Sequence, residues 1–138
     1  HRTVFGEDIL NDISICPEYL RIQCEREIKV RLIGLRQGYV SSTGKDDLLR
    51  DLLIRFITGI IPLFRAILFL LKNDPPLLRK DALRKTSEVF GIDAGPFEKL
   101  LLLKSEVIKP YGNELHDIFI RVYEETEKLE KAMDELSV

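Results

Sequence analysis

The sequence contains few of the residues that hold metal ions or form cross-links. Its 138 residues include two cysteines, two histidines, one methionine and no tryptophan. Cys16 and Cys24 fall on one predicted helix at a separation of roughly 12 Å, which is too far for a disulfide. We therefore expect reduced thiols and a cytoplasmic protein. Two cysteines and two histidines at these positions match no zinc-ligand spacing, so we predict no metal site.

The chain also has no excess of positive charge. It carries 21 lysines and arginines against 23 acids, a net charge of −2. Nucleic-acid-binding domains are usually basic, so we expect no dedicated nucleic-acid surface. With 45% hydrophobic and 32% charged residues, the composition is that of a globular domain. No signal peptide is visible at the polar start of the chain, and the missing initiator methionine suggests a longer parent protein.

One long apolar segment dominates the sequence, residues 46–71, and its second half is the most apolar part. Between positions 56 and 71 the only polar side chains are Thr58 and Arg65. A helix that is apolar on nearly every side is buried in a protein core or in a membrane. This stretch is shorter than the roughly 20 residues that span a bilayer, and it includes Pro62. We therefore predict the central helix of a soluble bundle, with no membrane contact.

Apolar residues recur at helical spacing in five segments, and no segment resembles a sustained β-sheet. The predicted helices cover residues 17–39, 46–71, 78–90, 94–104 and 113–136. Short connections between them predict an all-α, up-and-down bundle of four to five helices. The bundle domain covers residues 16–138. Residues 1–15 form a short N-terminal extension, interpreted as a linker or the tail of a preceding domain.

The second and fifth helices carry the most informative patterns. The fifth has a heptad seam that could pack inside the bundle or against a second copy of the chain: Leu115, Phe119, Val122, Thr126, Leu129, Met133 and Leu136. The second has one apolar core face. Its opposite face mixes apolar and polar residues and suits an interface: Arg55, Thr58, Pro62, Arg65 and Phe69. Because Pro62 removes a helical hydrogen bond, a kink is expected there.

The other helices allow local predictions. On the third helix, Val89 is predicted to face inward and Gly91 to cap the C-terminal end. Asp93 is the predicted N-cap of the fourth helix. On the fifth helix, Glu124 and Lys128 are four residues apart and are predicted to form an ion pair.

Several blocks of the sequence carry a family resemblance that extends over nearly the whole chain. They are FGEDI (5–9), LRIQCERE (20–27), LRQGY (35–39), IPLFRAIL (61–68), PP (75–76) and FGID (90–93). In order and spacing they resemble the C-terminal part of proteins with a nucleotidyltransferase domain. In that family a catalytic domain of the DNA polymerase beta type precedes a helical domain. The helical domain is similar to the four-helix C-terminal domain of kanamycin nucleotidyltransferase and to HEPN domains.

The catalytic signature of that family is missing from this chain. The family's first domain has a Gly-Ser turn and an Asp-x-Asp pair, because phosphoryl transfer needs carboxylates that hold magnesium against the triphosphate. This chain has neither motif. The resemblance therefore implies a helical domain without catalytic residues or cofactors of its own. Magnesium, the nucleoside triphosphate and the N-terminal nucleotidyltransferase domain are implied only for the parent protein.

The chain also departs from the HEPN ribonucleases, which use an arginine a few residues before a histidine. The internal histidine is His116, and the three positions where that arginine would lie are Lys109, Pro110 and Tyr111. The motif is absent. We therefore interpret His116 as a partly solvated helix residue beside the seam of the fifth helix.

Arg65 is the leading candidate for substrate binding, together with Arg55 and Thr58 on the same face. An unpaired guanidinium in an apolar interior is very costly. Arg65 must therefore pair with an acid such as Glu25, reach solvent, or contact a ligand. Because arginine suits phosphate, the ligand interpretation is a nucleotide contact in the cleft between domains.

The other candidates, Arg21, Glu25 and Arg36, lie on the first predicted helix. Arg21 and Glu25 are four residues apart, so a surface ion pair explains them. The alternative is that all three line a substrate cleft. Cys24 lies on the apolar stripe of this helix and is interpreted as a small core residue.

Two functions follow as hypotheses. The first is an accessory, substrate-binding helical domain of a nucleotidyltransferase-like protein that does not catalyse a reaction alone. The second is a protein-interaction or dimerisation module, similar to HEPN-type toxin or antitoxin subunits, with the fifth-helix seam as an exposed contact between two copies. An independent ribonuclease is a weaker third hypothesis, because the Arg-His motif is absent.

Overall fold

The computed structural model describes residues 17–71 and 78–135, and side chains from residue 21 onwards. Several sequence-based expectations lie outside these residues. They are the extension over 1–15, the thiol of Cys16, the side chain of Leu20, the turn at 73–76 and the seam residue Leu136.

The described residues form five α-helices and no strand, which confirms the all-α bundle. The helices are α1 (Pro17–Ser41), α2 (Asp46–Leu70), α3 (Arg79–Phe90), α4 (Gly95–Lys104) and α5 (Gly112–Asp134). The predicted bounds agree with these to within two residues. Asp93 lies just before α4, where its Oδ1 accepts a hydrogen bond from the Gly95 amide at 2.9 Å. The predicted N-cap assignment of Asp93 is nevertheless wrong, because α4 begins one residue later than expected and its N-cap is Ala94.

Helix α2 is the centre of the bundle. It packs against all four other helices, and α1 and α5 also pack against each other. The predicted core face is buried except at Leu71, which is partly buried. Leu53, Ile60 and Phe64 have no exposed surface. By length and composition alone α2 could also span a membrane. Its packing against four helices is the arrangement of a core helix, and it continues through Pro62 as one helix.

The seam of α5 packs inside the chain. Its described members are all buried: Leu115, Phe119, Val122, Thr126, Leu129 and Met133. The one polar member, Thr126, donates its hydroxyl to the Val122 carbonyl at 2.7 Å, so its burial leaves no unpaired donor. The seam is therefore not available as the exposed dimer contact that the second hypothesis required.

Two details of the sequence interpretation are wrong. Val89 was expected to point inward on α3, but 42% of it is exposed. Helix α3 buries only a narrow stripe, Ala82, Leu83 and Thr86, because it contacts the bundle along one edge. On α5, Lys128 was expected to pair with Glu124. It pairs instead with the buried Glu125 at 3.0 Å.

Two helices end with residues in the left-handed region. Gly91 follows α3 with φ of 69°, as predicted from its position. Glu106 follows α4 with φ of 62°, a conformation that residues other than glycine rarely adopt. The Glu106 and Val107 amides donate to the Leu103 and Leu102 carbonyls, which is the Schellman arrangement. Here the hydrogen-bonded helix end holds a glutamate in a conformation that favours glycine.

Replacing Glu106 with glycine should therefore stabilise the protein. We expect Glu106→Gly to raise the free energy of unfolding by about 1 kcal/mol, because glycine adopts positive φ without steric cost. Gly91→Ala is the matched control and should lower it by a similar amount. Urea unfolding measures both. An unchanged or lower stability for Glu106→Gly would contradict the assigned turn.

The two faces of α2 predict different costs for two phenylalanine truncations. Phe64 is fully buried, whereas 36% of Phe69 is exposed. We expect Phe64→Ala to lower the free energy of unfolding by about 3–5 kcal/mol through loss of burial and cavity formation. Phe69→Ala should cost only about 1 kcal/mol. Thermal and urea unfolding compare the two variants, and equal losses would show that α2 is not oriented as described.

Candidate functional site

The predicted polar face of α2 is divided between two grooves. Thr58 and Arg65 line one groove, together with residues of α3 and α4. Arg55 lines another groove, between α1 and α2. The division follows from helix geometry, since Thr58 and Arg65 differ by about 20° around the axis, whereas Arg55 is about 60° from Thr58. The three candidates therefore do not form one site.

The groove containing Arg65 is concave and basic, and we call it the basic groove. It encloses about 180 Å³. Its cations come from three helices: Arg65 from α2, Arg79 from the first position of α3, and Lys104 from the last position of α4. The remaining lining residues are Ile57, Thr58, Ile61, Pro62 and Leu101. Among the described residues no carboxylate lines the groove, so its described lining carries a net positive charge in a chain whose overall charge is −2.

The polar side chains of the basic groove differ in the hydrogen bonds and ion pairs that they already form within the protein. Arg65 is half-buried and has an interaction of its own within the protein. Thr58 is exposed and donates its hydroxyl to the Ile54 carbonyl at 2.8 Å, which leaves its oxygen able to accept. Within residues 17–71 and 78–135, neither Arg79 nor Lys104 forms an ion pair. These two cations are therefore able to bind an anion.

Lys104 also lines a neighbouring groove on the same side of the bundle. That groove encloses about 390 Å³ and contains Arg50, Glu106 and Lys109. Arg50 is already engaged there, since it donates to the Pro110 carbonyl at 3.1 Å and to Asp47 at 3.2 Å. The second groove therefore continues the basic surface but contains a carboxylate, which the described lining of the basic groove does not.

Arg21 and Glu25 form an ion pair at 2.9 Å, as their spacing predicted. Glu25 also faces Glu130 and Asp134 on α5, and oxygens of the three carboxylates lie within 4.8 Å of one another. The Lys29 ammonium is 3.7 to 3.9 Å from all three acids. The cluster is therefore an ion-pair network, centred on Lys29, that joins α1 to α5. We do not propose it as a ligand site.

Arg36 also joins α1 to α5, through an aromatic cluster. Its guanidinium donates to the Tyr123 hydroxyl and lies 5.8 Å from the centre of that ring. Tyr39 stacks on Phe119 at 4.2 Å between ring centres. The Tyr39 hydroxyl lies 2.9 Å from His116 Nδ1. Arg36 and His116 thus have partners that explain their positions without a substrate.

Sequence reasoning did not identify Arg79 or Lys104 as site residues. Both are at helix ends, and their proximity to Arg65 depends on how α3 and α4 dock on α2. Only the order of the helices along the chain could have indicated this proximity. The start of α3 and the end of α4 both lie near the second half of α2 in the bundle. Spacing within one helix could not bring these three cations together.

Cys24 is the one described cysteine, and it is a buried core residue, not a nucleophile. It has no exposed surface, and burial together with the charge of Glu27 raises the pKa of its thiol to about 12. Thiol reagents react with the thiolate, so this thiol is unreactive at neutral pH in the folded protein.

The protection of Cys24 is directly measurable. In a Cys16→Ser variant at pH 8, we expect an aromatic disulfide reagent to leave the folded protein unlabelled over an hour. Denaturant should then expose one thiol per chain, which serves as the positive control. Stoichiometric labelling of the folded variant within minutes would contradict the assigned burial of α1 against α2.

Comparisons with known proteins add no functional assignment. No family model, no curated protein and no solved structure matches the chain. The similarity to the helical domains of nucleotidyltransferases therefore remains a resemblance carried by the sequence blocks quoted above. The function must be argued from the grooves and their charges.

Proposed function

We propose that this chain is an accessory, substrate-binding helical domain of a nucleotidyltransferase-like protein, and that it binds nucleotide phosphates in the basic groove. The observation that carries the proposal is the convergence of Arg65, Arg79 and Lys104 on one concave surface, where none of the described lining residues is a carboxylate. Arginine and lysine are the usual side-chain ligands of phosphate, and charge-assisted hydrogen bonds to phosphate oxygens are among the strongest in proteins.

The surroundings of the groove also suit a nucleotide. Ile61, Pro62 and Leu101 provide an apolar wall beside the cations. A base or sugar could pack against this wall while the phosphates contact the three charges. The Thr58 hydroxyl adds a polar group on the same helix face as Arg65. Arg65 contributes through its position and charge, in addition to the interaction that it already makes.

Magnesium does not fit the basic groove itself, because hard divalent cations need carboxylate or carbonyl oxygens and the groove presents ammonium and guanidinium groups. The proposed role is therefore to hold the phosphates, while the metal and the chemistry belong to an N-terminal domain of the parent protein. The chain alone would bind without catalysis. A cytoplasmic location, where nucleotides are abundant and the Cys24 thiol stays reduced, is part of this proposal.

Titration calorimetry with ATP and with inorganic pyrophosphate tests the proposal on the isolated chain. We expect binding of both anions at low salt, and roughly tenfold weaker binding for Arg79→Gln or Lys104→Gln, since each variant loses one charge-assisted contact. Binding should weaken as sodium chloride is added, because the site is open to solvent.

Arg84→Gln is the matched control, because Arg84 lies on α3 like Arg79 but pairs with Glu98 at 3.4 Å. This variant should bind ATP like the unmodified chain. Absence of binding at millimolar ATP would overturn the proposal, as would equal losses for Arg79→Gln and Arg84→Gln. Pyrophosphate binding without ATP binding would contradict the nucleotide assignment.

A further inference from the structure

The groove between α1 and α2 has a different character from the basic groove. It encloses about 240 Å³, and Leu35, Leu52 and Phe56 contribute apolar surface to it. We call it the α1–α2 groove. Its outer edge continues into apolar side chains that water contacts, since Val30 is 56% exposed and the adjoining Ile33 is 51% exposed.

Two glycines of α1 shape this groove in different ways. Gly34 lines it, and a Cβ placed there would meet nothing within 4 Å, so the groove is open above this residue. At Gly38, one turn later, a Cβ would collide with the Leu52 side chain, so α1 and α2 are in close contact there. The two helices therefore pack more closely at Gly38 than at Gly34, and the exposed Val30 lines the groove one turn before Gly34.

Two arginines flank the apolar surface, and each has N–H donors that no described residue accepts from. Arg55 forms no ion pair there, although Asp51 is one helical turn away. Arg31 is 3.6 Å from Glu27, but its buried Nε has no hydrogen-bond partner. The Arg31 guanidinium lies against Gly59 of α2, where any side chain would displace it. The groove thus combines an apolar floor with two guanidinium groups that lack full partners.

The charges decide which occupant fits. A second copy docked here by two-fold symmetry would present the same concave patch, whose described lining has two arginines and no carboxylate, so positive charge would face positive charge across the interface. A nucleic acid would leave the apolar floor uncovered. A partner with both apolar side chains and carboxylates can cover the apolar floor and pair with the guanidinium groups at the same time. An amphipathic helix presents both kinds of side chain within one turn.

We propose that the α1–α2 groove is a docking site for an acidic amphipathic helix of a partner protein. An apolar side chain of that helix fills the groove above Gly34, and its carboxylates pair with Arg55 and with the Arg31 guanidinium. This site is separate from the basic groove, so it can hold a partner while the chain binds nucleotide.

Fluorescence anisotropy with two labelled 14-residue peptides tests the proposal. One peptide has leucines at positions i, i+3, i+4 and i+7 with glutamates elsewhere; the other has lysines in place of the glutamates. We expect the acidic peptide to bind and the basic peptide to bind at least tenfold more weakly. Equal affinities, or no binding of the acidic peptide, would overturn the proposal.

Two variants locate the binding. Arg55→Glu should weaken the acidic peptide about tenfold, whereas Lys99→Glu, a matched charge reversal on α4, should leave it unchanged. Gly34→Leu should block the groove while preserving the free energy of unfolding, because leucine favours helix and nothing lies within 4 Å of the new Cβ. Unaltered peptide binding by Arg55→Glu or by Gly34→Leu would contradict the assigned site.

ATP binding separates this proposal from the preceding one. Arg55→Glu should retain ATP affinity in the basic groove, and Lys104→Gln should retain affinity for the acidic peptide. Loss of both ligands in either variant would contradict the separation of the two sites.

Discussion

Burial of the apolar helix α2 among its four neighbours holds the bundle together. Its core face alone carries Leu53, Ile60 and Phe64, each fully buried. At roughly 1.5–3 kcal/mol for each large apolar side chain removed from water, this helix supplies much of the drive for folding. Such a helix cannot be covered by one neighbour, so four helices surround it. The short helix α4 takes part in this covering, since its Phe97 packs against Phe56 and Phe64 of α2.

Covering one apolar helix with four others leaves grooves where the neighbours meet, and the polar residues of α2 face these grooves. Thr58 and Arg65 meet the ends of α3 and α4, where Arg79 and Lys104 add charge. Arg55 meets α1, where Val30, Gly34 and Leu35 add apolar surface. The same helix thus contributes to two grooves of different chemistry, for which we propose nucleotide phosphates and an acidic helix as the respective ligands.

The helices could be predicted from sequence because their signals are local. The periodicity of α5, the position of Gly91 and the apolar stripe of α1 all act within a few residues. The residues that line each groove could not be predicted from the sequence, because they come together only when segments far apart in the chain dock. Lys104 carries no sign of its role in the sequence, and Val89 was wrongly assigned to the core because nothing local shows that α3 packs along one edge. The separation of Arg55 from Arg65 was available from helix angles, but the shared polar character of the face obscured it.

Binding of nucleotide phosphates in the basic groove can be tested residue by residue. The experiment is a nuclear magnetic resonance titration of the isotope-labelled chain with ATP, with each backbone amide followed individually. We expect saturable shifts concentrated at Thr58, Arg65, Arg79 and Lys104, while amides around Val30 and Gly34 stay unchanged. Shifts that centre on the α1–α5 side of the bundle, near Lys29 or Arg36, would contradict it, and so would small shifts spread evenly over all exposed lysines and arginines.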